Sequence, residues 1–210
     1  MRMKKFLAVA LVATMTMASC LTTFAKTTTT APIAVVEETK NTSVYNASAV
    51  EAGKEVVKMA GISVTSTIAG SYATESGLAV ISPMKDLTAA LGLADDMEAY
   101  IVAVDTDYDS APLAMAVVDA AATALGADVV SVVTMDLCGK KNGLYYNLGM
   151  DTSVGVIMLE VKNPDPTKTY SVVCVQPGGV VTILPDVDDV SGTVTCELKA
   201  GLATYAIVAE

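Results

Sequence analysis

The sequence predicts an α+β fold in which antiparallel, β-sandwich-like sheets carry two or three packed helices. Three observations lead to this prediction. Two segments have helical start and stop signals, short apolar stretches are separated by turn residues, and the C-terminal half is a succession of strands. Hydrophobic residues make up 52% of the chain, mainly alanine and valine, which indicates a folded core rather than disorder.

The clearest predicted helix runs from Pro112 to Leu125. Only Asp119 and Thr123 are polar within it, and they lie one turn apart, so most of its surface is expected to be covered. The segment is shorter than the about 20 apolar residues that cross a bilayer, so we expect it to pack across a sheet. Gly126 is expected to end it.

A second helix is predicted after Ser82-Pro83, with Ser82 as the N-cap, Pro83 in the first turn and Gly92 at the end. A third, shorter helix is predicted from Asn46 to Gly61, because several valines and a methionine fall on one helical face.

The other apolar segments predict strands. They lie near 62–72, 78–81, 100–105, 129–137, 157–161, 170–176, 179–184, 194–198 and 204–208. Alternation predicts that Val129, Val133, Met135 and Leu137 share one face of their strand. Pro177 and Gly178 stand at the two central positions of a predicted type II turn.

Residues 1–25 have the order of a secretory signal peptide, with a basic start, an apolar run over 6–18 and small residues before Ala25. A competing interpretation treats 17–20 as a lipobox, so that Cys20 would become a lipid anchor. Both interpretations predict a protein that works outside the cytoplasm, either secreted or as a cell-surface lipoprotein.

Behind the leader, residues 26–45 predict a threonine-rich linker. Residues 46–210 are expected to form a single α+β extracellular domain, with a subdivision near 128 as the alternative and a β-rich C-terminal half. The chain carries 13 basic and 23 acidic residues, a net charge of −10. Such a surface repels phosphate, which argues against nucleic acid as a partner and leaves Cys20 as the one predicted route to a membrane.

Three cysteines follow the leader, namely Cys138, Cys174 and Cys196. An odd and sparse set is not typical of a disulfide framework, so the favoured interpretation is three small core residues. A bridge between Cys174 and Cys196, both on predicted strands, is the alternative.

No histidine occurs in the chain. This removes the imidazole base of Ser-His-Asp and Cys-His catalysis, and also the commonest zinc ligand. Nucleophile-elbow, phosphate-loop and dinucleotide-binding motifs are absent from the sequence as well. We therefore predict a protein that is not an enzyme, with no catalytic residues and no cofactor.

One catalytic-looking motif is present in Ser82-Pro83-Met84-Lys85, which fits Ser-x-x-Lys. Enzymes with this motif also need a Lys-Thr-Gly strand, whereas Lys168-Thr169 is followed by Tyr170. We expect a helix cap and a surface lysine, and keep a Ser-Lys secreted hydrolase built on Ser82 and Lys85 as an alternative.

A second alternative is a calcium-stabilised adhesive domain. Asp105, Asp107 and Asp109 alternate like the first ligands of a calcium loop, but Ser110 and Ala116 replace the glycine and the glutamate that such a loop needs. We therefore predict no metal site and expect a solvated acidic loop. A further acidic loop contains Asp186, Asp188 and Asp189.

Four C-terminal segments carry a resemblance. They are Thr169-Tyr170-Ser171-Val172-Val173, the stretch from Gly178 to Leu184, Thr193-Val194-Thr195, and the stretch from Ala203 to Val208. Together they resemble a β-rich module of secreted and wall-associated proteins of Gram-positive gut Clostridia, although Gln176-Pro177 replaces a common His-Asp pair. Residues 46–128 are similar to small uncharacterised secreted proteins of the same bacteria. The resemblance implies an extracellular, non-catalytic module.

The predicted function is therefore a secreted or cell-surface module that serves in binding, adhesion or structure. Its expected partner is an extracellular protein or glycan. Tryptophan is absent, and Tyr145-Tyr146 is the one aromatic cluster, whose two rings should lie on opposite faces of a strand.

Overall fold

The computed structural model describes residues 48–50, 56–149 and 153–210, with side chains described from Val57 onward. These residues form thirteen strands and two helices, so the predicted α+β class is confirmed. The predicted signal peptide, the linker and Cys20 lie outside the described residues. The elements are β1 Ser48–Val50, β2 Val56–Met59, β3 Ile62–Thr65, β4 Ala69–Ala73, β5 Leu78–Val80, α1 Met84–Leu91, β6 Glu98–Asp105, α2 Pro112–Leu125, β7 Asp128–Lys141, β8 Leu144–Tyr146, β9 Ser153–Glu160, β10 Tyr170–Gln176, β11 Val180–Pro185, β12 Thr193–Lys199 and β13 Gly201–Ala209.

The largest sheet has eight strands. Seven follow the order β1-β4-β6-β7-β13-β10-β11, and β8 pairs with the end of β7. β4 and β6 run parallel, and the other pairs in this sheet are antiparallel. The sheet therefore joins strands from both sides of position 128.

A smaller antiparallel sheet has the order β12-β9-β5, and β2 and β3 form a separate hairpin. The main buried cluster takes side chains from both of the larger sheets, for example Ile101 and Leu137 from the eight-stranded sheet and Ile157 from β9. Leu87 of α1 also belongs to it, and Tyr205 is its largest fully buried side chain.

Helix α2 lies on the other face of the eight-stranded sheet. Its buried residues Met115, Val118 and Ala122 pack against a patch that includes Val173 and Ala206. Its bounds and its place on a sheet confirm the prediction, and Gly126 ends it with a φ of 69°. The expectation that most of its surface is covered is wrong, because these three are its buried residues and Leu113 is 84% exposed. Neither described helix is long and apolar enough to cross a membrane.

The predicted helix over 46–61 is wrong in its described part, where β1 and β2 are strands. Its valines are β-branched and favour extended backbone when a pairing partner is available. β3 is that partner for β2, and the two strands meet at Ala60 and Gly61, whose φ angles are 47° and 83°. Gly61 thus serves a hairpin turn rather than a helix end.

The predicted common face of β7 is wrong for Val129. Val133, Met135 and Leu137 face the main core, whereas Val129 packs on the side of α2. The pairing with β13 shifts register between Ile207 and Val208, so one extra residue of β7 reverses the alternation.

Other local predictions are confirmed. The Gly179 amide donates to the Gln176 carbonyl at 3.1 Å, and Gly178 has a φ of 85°, as a type II turn requires. Gly92 ends α1 in the left-handed conformation. The predicted strands near 157–161 and 194–198 contribute alternate side chains to the core, namely Ile157, Leu159, Val161, Val194, Cys196 and Leu198.

Candidate functional site

Helix α2 covers only part of its face of the eight-stranded sheet. Further along that face, side chains of β6, β7 and β13 reach solvent, and Val104 and Leu202 are 37% and 45% exposed. We call this region the open face and define it by Tyr100, Val102, Val104, Thr134, Asp136, Cys138, Lys140, Tyr145, Leu202 and Thr204, of which Tyr100, Cys138 and Thr204 are buried.

The strand register places these side chains together. Asp136 of β7 lies opposite Val102 of β6 on one side and Leu202 of β13 on the other. Side chains alternate between the two faces of a sheet, so the residues next to each of them, such as Ile101 and Leu137, enter the main core. The open face is therefore the reverse side of core-forming strands, which hold it rigidly.

An aromatic platform forms one end of the open face. The ring centroids of Tyr100 and Tyr145 are 5.4 Å apart, and the rings are tilted by 57°. The ammonium of Lys140 lies 4.1 Å from the Tyr100 centroid and 5.8 Å from that of Tyr145. The side chain of Tyr100 is buried, whereas that of Tyr145 is 57% exposed. Ring and cation contacts thus support an outward aromatic surface.

The centre of the open face is polar. The Thr106 hydroxyl donates to the Thr134 hydroxyl at 2.7 Å, and the hydroxyls of Thr134 and Thr204 are 2.9 Å apart. Burial raises the pKa of the Asp136 carboxyl. Among the ion pairs of the described residues, none includes Asp136. A carboxylate thus stands beside apolar Val102 and Leu202, and no cation of the described residues pairs with it to offset its desolvation.

Ser82 and Lys85 do not form a catalytic pair. The Ser82 hydroxyl accepts a hydrogen bond from the Val156 amide at 2.7 Å, which ties the start of α1 to β9. In the described chain no hydrogen bond joins Ser82 to Lys85, whose side chain is exposed. The predicted N-cap role is wrong as well, because α1 has no side-chain cap and its cap residue is Pro83.

The structure does not bring Asp105, Asp107 and Asp109 together as metal ligands. The Asp105 carboxylate accepts the Glu75 amide at 2.7 Å, and that of Asp107 accepts the amide and the hydroxyl of Ser110 at 2.8 and 2.7 Å. The bonds from Ser110 lower the pKa of Asp107. Nowhere in the described ranges do three or more histidine, cysteine or acidic residues converge as a metal site.

The second acidic loop is organised by its own backbone. Asp186 accepts hydrogen bonds from the amides of Thr195 and Asp188, and Asp188 accepts one from the Val190 amide. Burial nevertheless raises the pKa of Asp186. These carboxylates therefore shape the connection between β11 and β12.

Cys138, Cys174 and Cys196 are free and buried. The interpretation as core residues is confirmed, and the alternative bridge between Cys174 and Cys196 is not present. Burial raises the pKa of Cys138 and of Cys174 to about 11, and raises that of Cys196 further. The thiols therefore stay protonated and lack the thiolate that a nucleophile or a metal ligand needs.

Sequence reasoning missed one constellation, formed by Ser153, Glu197 and Lys199. The Lys199 ammonium donates to the Ser153 hydroxyl at 2.6 Å and to the Glu197 carboxylate at 3.0 Å, and the hydroxyl donates to the same carboxylate at 2.7 Å. Ser153 is distant in sequence from Glu197 and Lys199, and it meets them only through the pairing of β9 with β12. The period-2 alternation of both strands was the one available signal.

This constellation resembles a Ser-Lys dyad, but its hydrogen bonds run the wrong way for catalysis. A general base needs a free lone pair, whereas the Lys199 nitrogen acts as a donor to both partners. The bonds from Ser153 and Lys199 also lower the pKa of Glu197, which makes that carboxylate a weak base. The arrangement fits a structural role, in which side-chain hydrogen bonds and an ion pair link β9 to β12.

A polar groove of about 540 Å³ lies beside the β2–β3 hairpin. The Glu160 carboxylate closes one side of it by accepting the amides of Ala60 and Gly77 at 2.9 and 2.8 Å. Its lining residues are Ala60, Glu160, Val161, Lys162, Asn163, Pro164, Ser191 and Gly192. Because both carboxylate oxygens already bind backbone, we take Glu160 as a structural anchor and the open face as the better candidate site.

Comparison with family models, with curated proteins and with solved structures found no match to this chain.

Proposed function

We propose that the protein is an exported, non-enzymatic module that binds an extracellular glycan or protein through its open face. The observation that carries this proposal is the aromatic platform of Tyr145, held outward by Tyr100 and Lys140 on a rigid sheet. Exposed aromatic surface backed by a fixed scaffold is typical of recognition sites.

The candidate nucleophiles of the described part of the chain are all engaged or buried, which supports a binding role. The Ser82 hydroxyl accepts a hydrogen bond from a backbone amide, and the Ser153 hydroxyl is bonded to Lys199. The three cysteines are buried and protonated. The sequence has no histidine to supply a base near neutral pH.

Export is part of the proposal and depends on residues 1–25, which have the pattern of a signal peptide. The resemblance to wall-associated modules of Gram-positive bacteria agrees with an extracellular site of action. We also infer that the two larger sheets form a β-sandwich-like unit, because they share one buried core.

The test is a binding measurement with the purified full chain. Its probes are insoluble peptidoglycan, a panel of soluble polysaccharides and extracted surface proteins. We expect binding to at least one probe, and we expect Tyr145→Ala to abolish it, because the exposed ring is lost. Tyr108→Ala is the matched control, since Tyr108 is 51% exposed but lies outside the open face.

Two results would contradict the proposal. Binding that survives both Tyr145→Ala and Lys140→Ala would show that the open face is not the site. Specific turnover of a substrate by the purified chain would show that the protein is an enzyme.

The two alternatives have tests of their own. A Ser-Lys hydrolase would react with an acylating serine probe, and the label would disappear in Ser82→Ala. A calcium-stabilised domain would melt at a higher temperature in calcium, because a ligand at 100 times its dissociation constant adds about 2.7 kcal/mol of stability. We expect no labelling of Ser82 by the probe and no change of the melting temperature in calcium.

A further inference from the structure

Strand β11 forms one end of the eight-stranded sheet. All six of its residues are paired with β10, and within the described residues no strand pairs with its other side. Val180, Val181 and Ile183 are 56%, 41% and 41% exposed. With respect to the described residues, the strand therefore presents unpaired backbone donors and acceptors together with apolar side chains, which is the surface that a further strand recognises.

This edge also lacks the usual protection. Soluble proteins commonly guard edge strands with charged residues, bulges or an internal proline. Residues 180–185 contain no charged side chain, although the chain as a whole carries a net charge of −10, and Pro185 is the last residue of the strand. The edge is thus an uncharged strip on an acidic protein.

We propose that β11 pairs with β11 of a second copy of this chain, antiparallel and about a twofold axis. The strand is self-complementary, because the exposed apolar side chains of Val181 and Ile183 flank Thr182 symmetrically, and charge favours the antiparallel direction. Asp186, Asp188 and Asp189 follow the strand, whereas the neutral turn 176–179 precedes it. Antiparallel pairing sets each acidic loop beside the neutral turn of the other copy, whereas parallel pairing would set two acidic loops side by side.

The alternation of side chains fixes the register of the pair. Residues directly opposite each other in a sheet point to the same face, so the twofold axis passes through a residue and not between two. An axis at Thr182 pairs Thr182 with itself and Val181 with Ile183. It also leaves Pro185, which has no amide hydrogen, outside the ladder.

The contact is isologous, since each copy offers the same strand to the other. On the face that carries α2, Val181 and Ile183 of one copy would cover Ile183 and Val181 of the other. The two eight-stranded sheets would then form one continuous sheet, and the unpaired edge of β11 would be covered in each copy.

The first test measures the molar mass of the full chain by light scattering over a range of concentrations. We expect a species of twice the monomer mass. Ile183→Lys should give monomers, because it places lysines on both sides of the shared axis. Leu202→Lys is the matched control and should stay dimeric, since Leu202 lies on the same face with 45% exposure but within the sheet. Melting curves of both variants check that they fold.

The second test identifies the register. In a Cys20→Ser background, the other native cysteines are buried, so Thr182→Cys adds one accessible thiol. Opposed residues in antiparallel strands have Cα atoms about 4.5–5.5 Å apart, which a disulfide can bridge. Mild oxidation should therefore give a covalent dimer. Val187→Cys, 57% exposed and just beyond the strand, should not cross-link.

Three outcomes would overturn the proposal. The first is a wild-type chain that stays monomeric at every concentration, which would leave the edge to a foreign strand or to solvent. The second is a dimer that persists in Ile183→Lys. The third is cross-linking of Val187→Cys as efficient as that of Thr182→Cys.

Discussion

Ser82 shows how a residue in a catalytic-looking motif can serve the core instead. Its hydroxyl accepts the Val156 amide, and Gly155 lies so close that an added Cβ would be 2.8 Å from that hydroxyl oxygen. The absence of a side chain at Gly155 therefore lets α1 approach β9. The motif Ser-x-x-Lys could be read from the sequence, but this use of the serine depends on a strand that is distant along the chain.

We predict that Ser82→Ala lowers the free energy of unfolding by about 1 kcal/mol, because the half-buried Val156 amide loses its acceptor. Urea denaturation of the variant and the wild type measures this difference. Ser191→Ala is the control and should leave stability unchanged, since Ser191 is exposed. A Ser82→Ala variant as stable as the wild type would contradict the role that we assign to this hydroxyl.

Asp136 gives a prediction on pH dependence. Burial raises its pKa in the folded protein, so the folded state binds its proton more tightly than the unfolded state does. Between the unfolded and the folded pKa, stability therefore falls as the pH rises, and above the folded pKa the charged carboxylate remains a cost. Asp136→Asn removes this group from titration.

We expect Asp136→Asn to be more stable than the wild type at neutral pH, with the difference shrinking as the pH falls through the folded pKa of Asp136. Thermal melting over a pH series measures this difference. Asp107→Asn is the control of opposite sign, because the hydrogen bonds from Ser110 lower the pKa of Asp107 and so make its carboxylate favourable at neutral pH. An Asp136→Asn variant that is less stable than the wild type at neutral pH would mean that the carboxylate has a favourable partner.

Short elements with complete local signals could be predicted from the sequence. The helix over Pro112–Leu125 begins with a proline and is followed by a glycine that ends it. The turn at Gln176–Gly179 has a proline and a glycine at its two central positions, which is the pattern of a type II turn. The segment over 46–61 lacked such signals, because a spacing of valines fits one helical face as well as a strand that has a partner. Its partner β3 settled the choice.

Longer elements depend on partners that the sequence does not reveal. The bulge in β7 moves Val129 to the face of α2, and neither β7 nor β13 contains a residue that marks this shift in advance. The open face also depends on packing between distant segments, because it exists where α2 stops covering the sheet. The sequence could point to the pair Tyr145-Tyr146, but not to Tyr145 in particular. Its place on the open face beside Tyr100 and Lys140 depends on the pairing of β6, β7 and β8.

The turn between β10 and β11 gives a prediction at the scale of an element. Gly178 has a φ of 85°, and an added Cβ would meet nothing within 4 Å, so backbone strain is the only expected cost of a side chain. We expect Gly178→Ala to lower the free energy of unfolding by about 1 kcal/mol, as chemical denaturation would measure. Gly149→Ala is the control, because Gly149 has equal space and no left-handed φ. Equal stabilities of the two variants would contradict this assignment.

At the scale of the whole molecule, the eight-stranded sheet has two different faces. One is covered by the smaller sheet and α1, and the other is covered in part by α2. This asymmetry leaves an open face whose outward groups are tyrosine, lysine, threonine and a carboxylate. The strands that build the core on one face of the sheet therefore also fix the side chains on the other.

Export is the prediction on which the biological setting of this surface depends. The leader pattern predicts cleavage after Ala25 in a Gram-positive host, so mass spectrometry of the secreted protein should find a chain that begins at Lys26. If Cys20 is instead the lipidated residue, the protein should remain with the membrane, and Cys20→Ala should lose that attachment. Recovery of the intact chain from the cytosol, in a host that exports other leaders normally, would contradict both routes. It would also make an extracellular partner for the open face untenable.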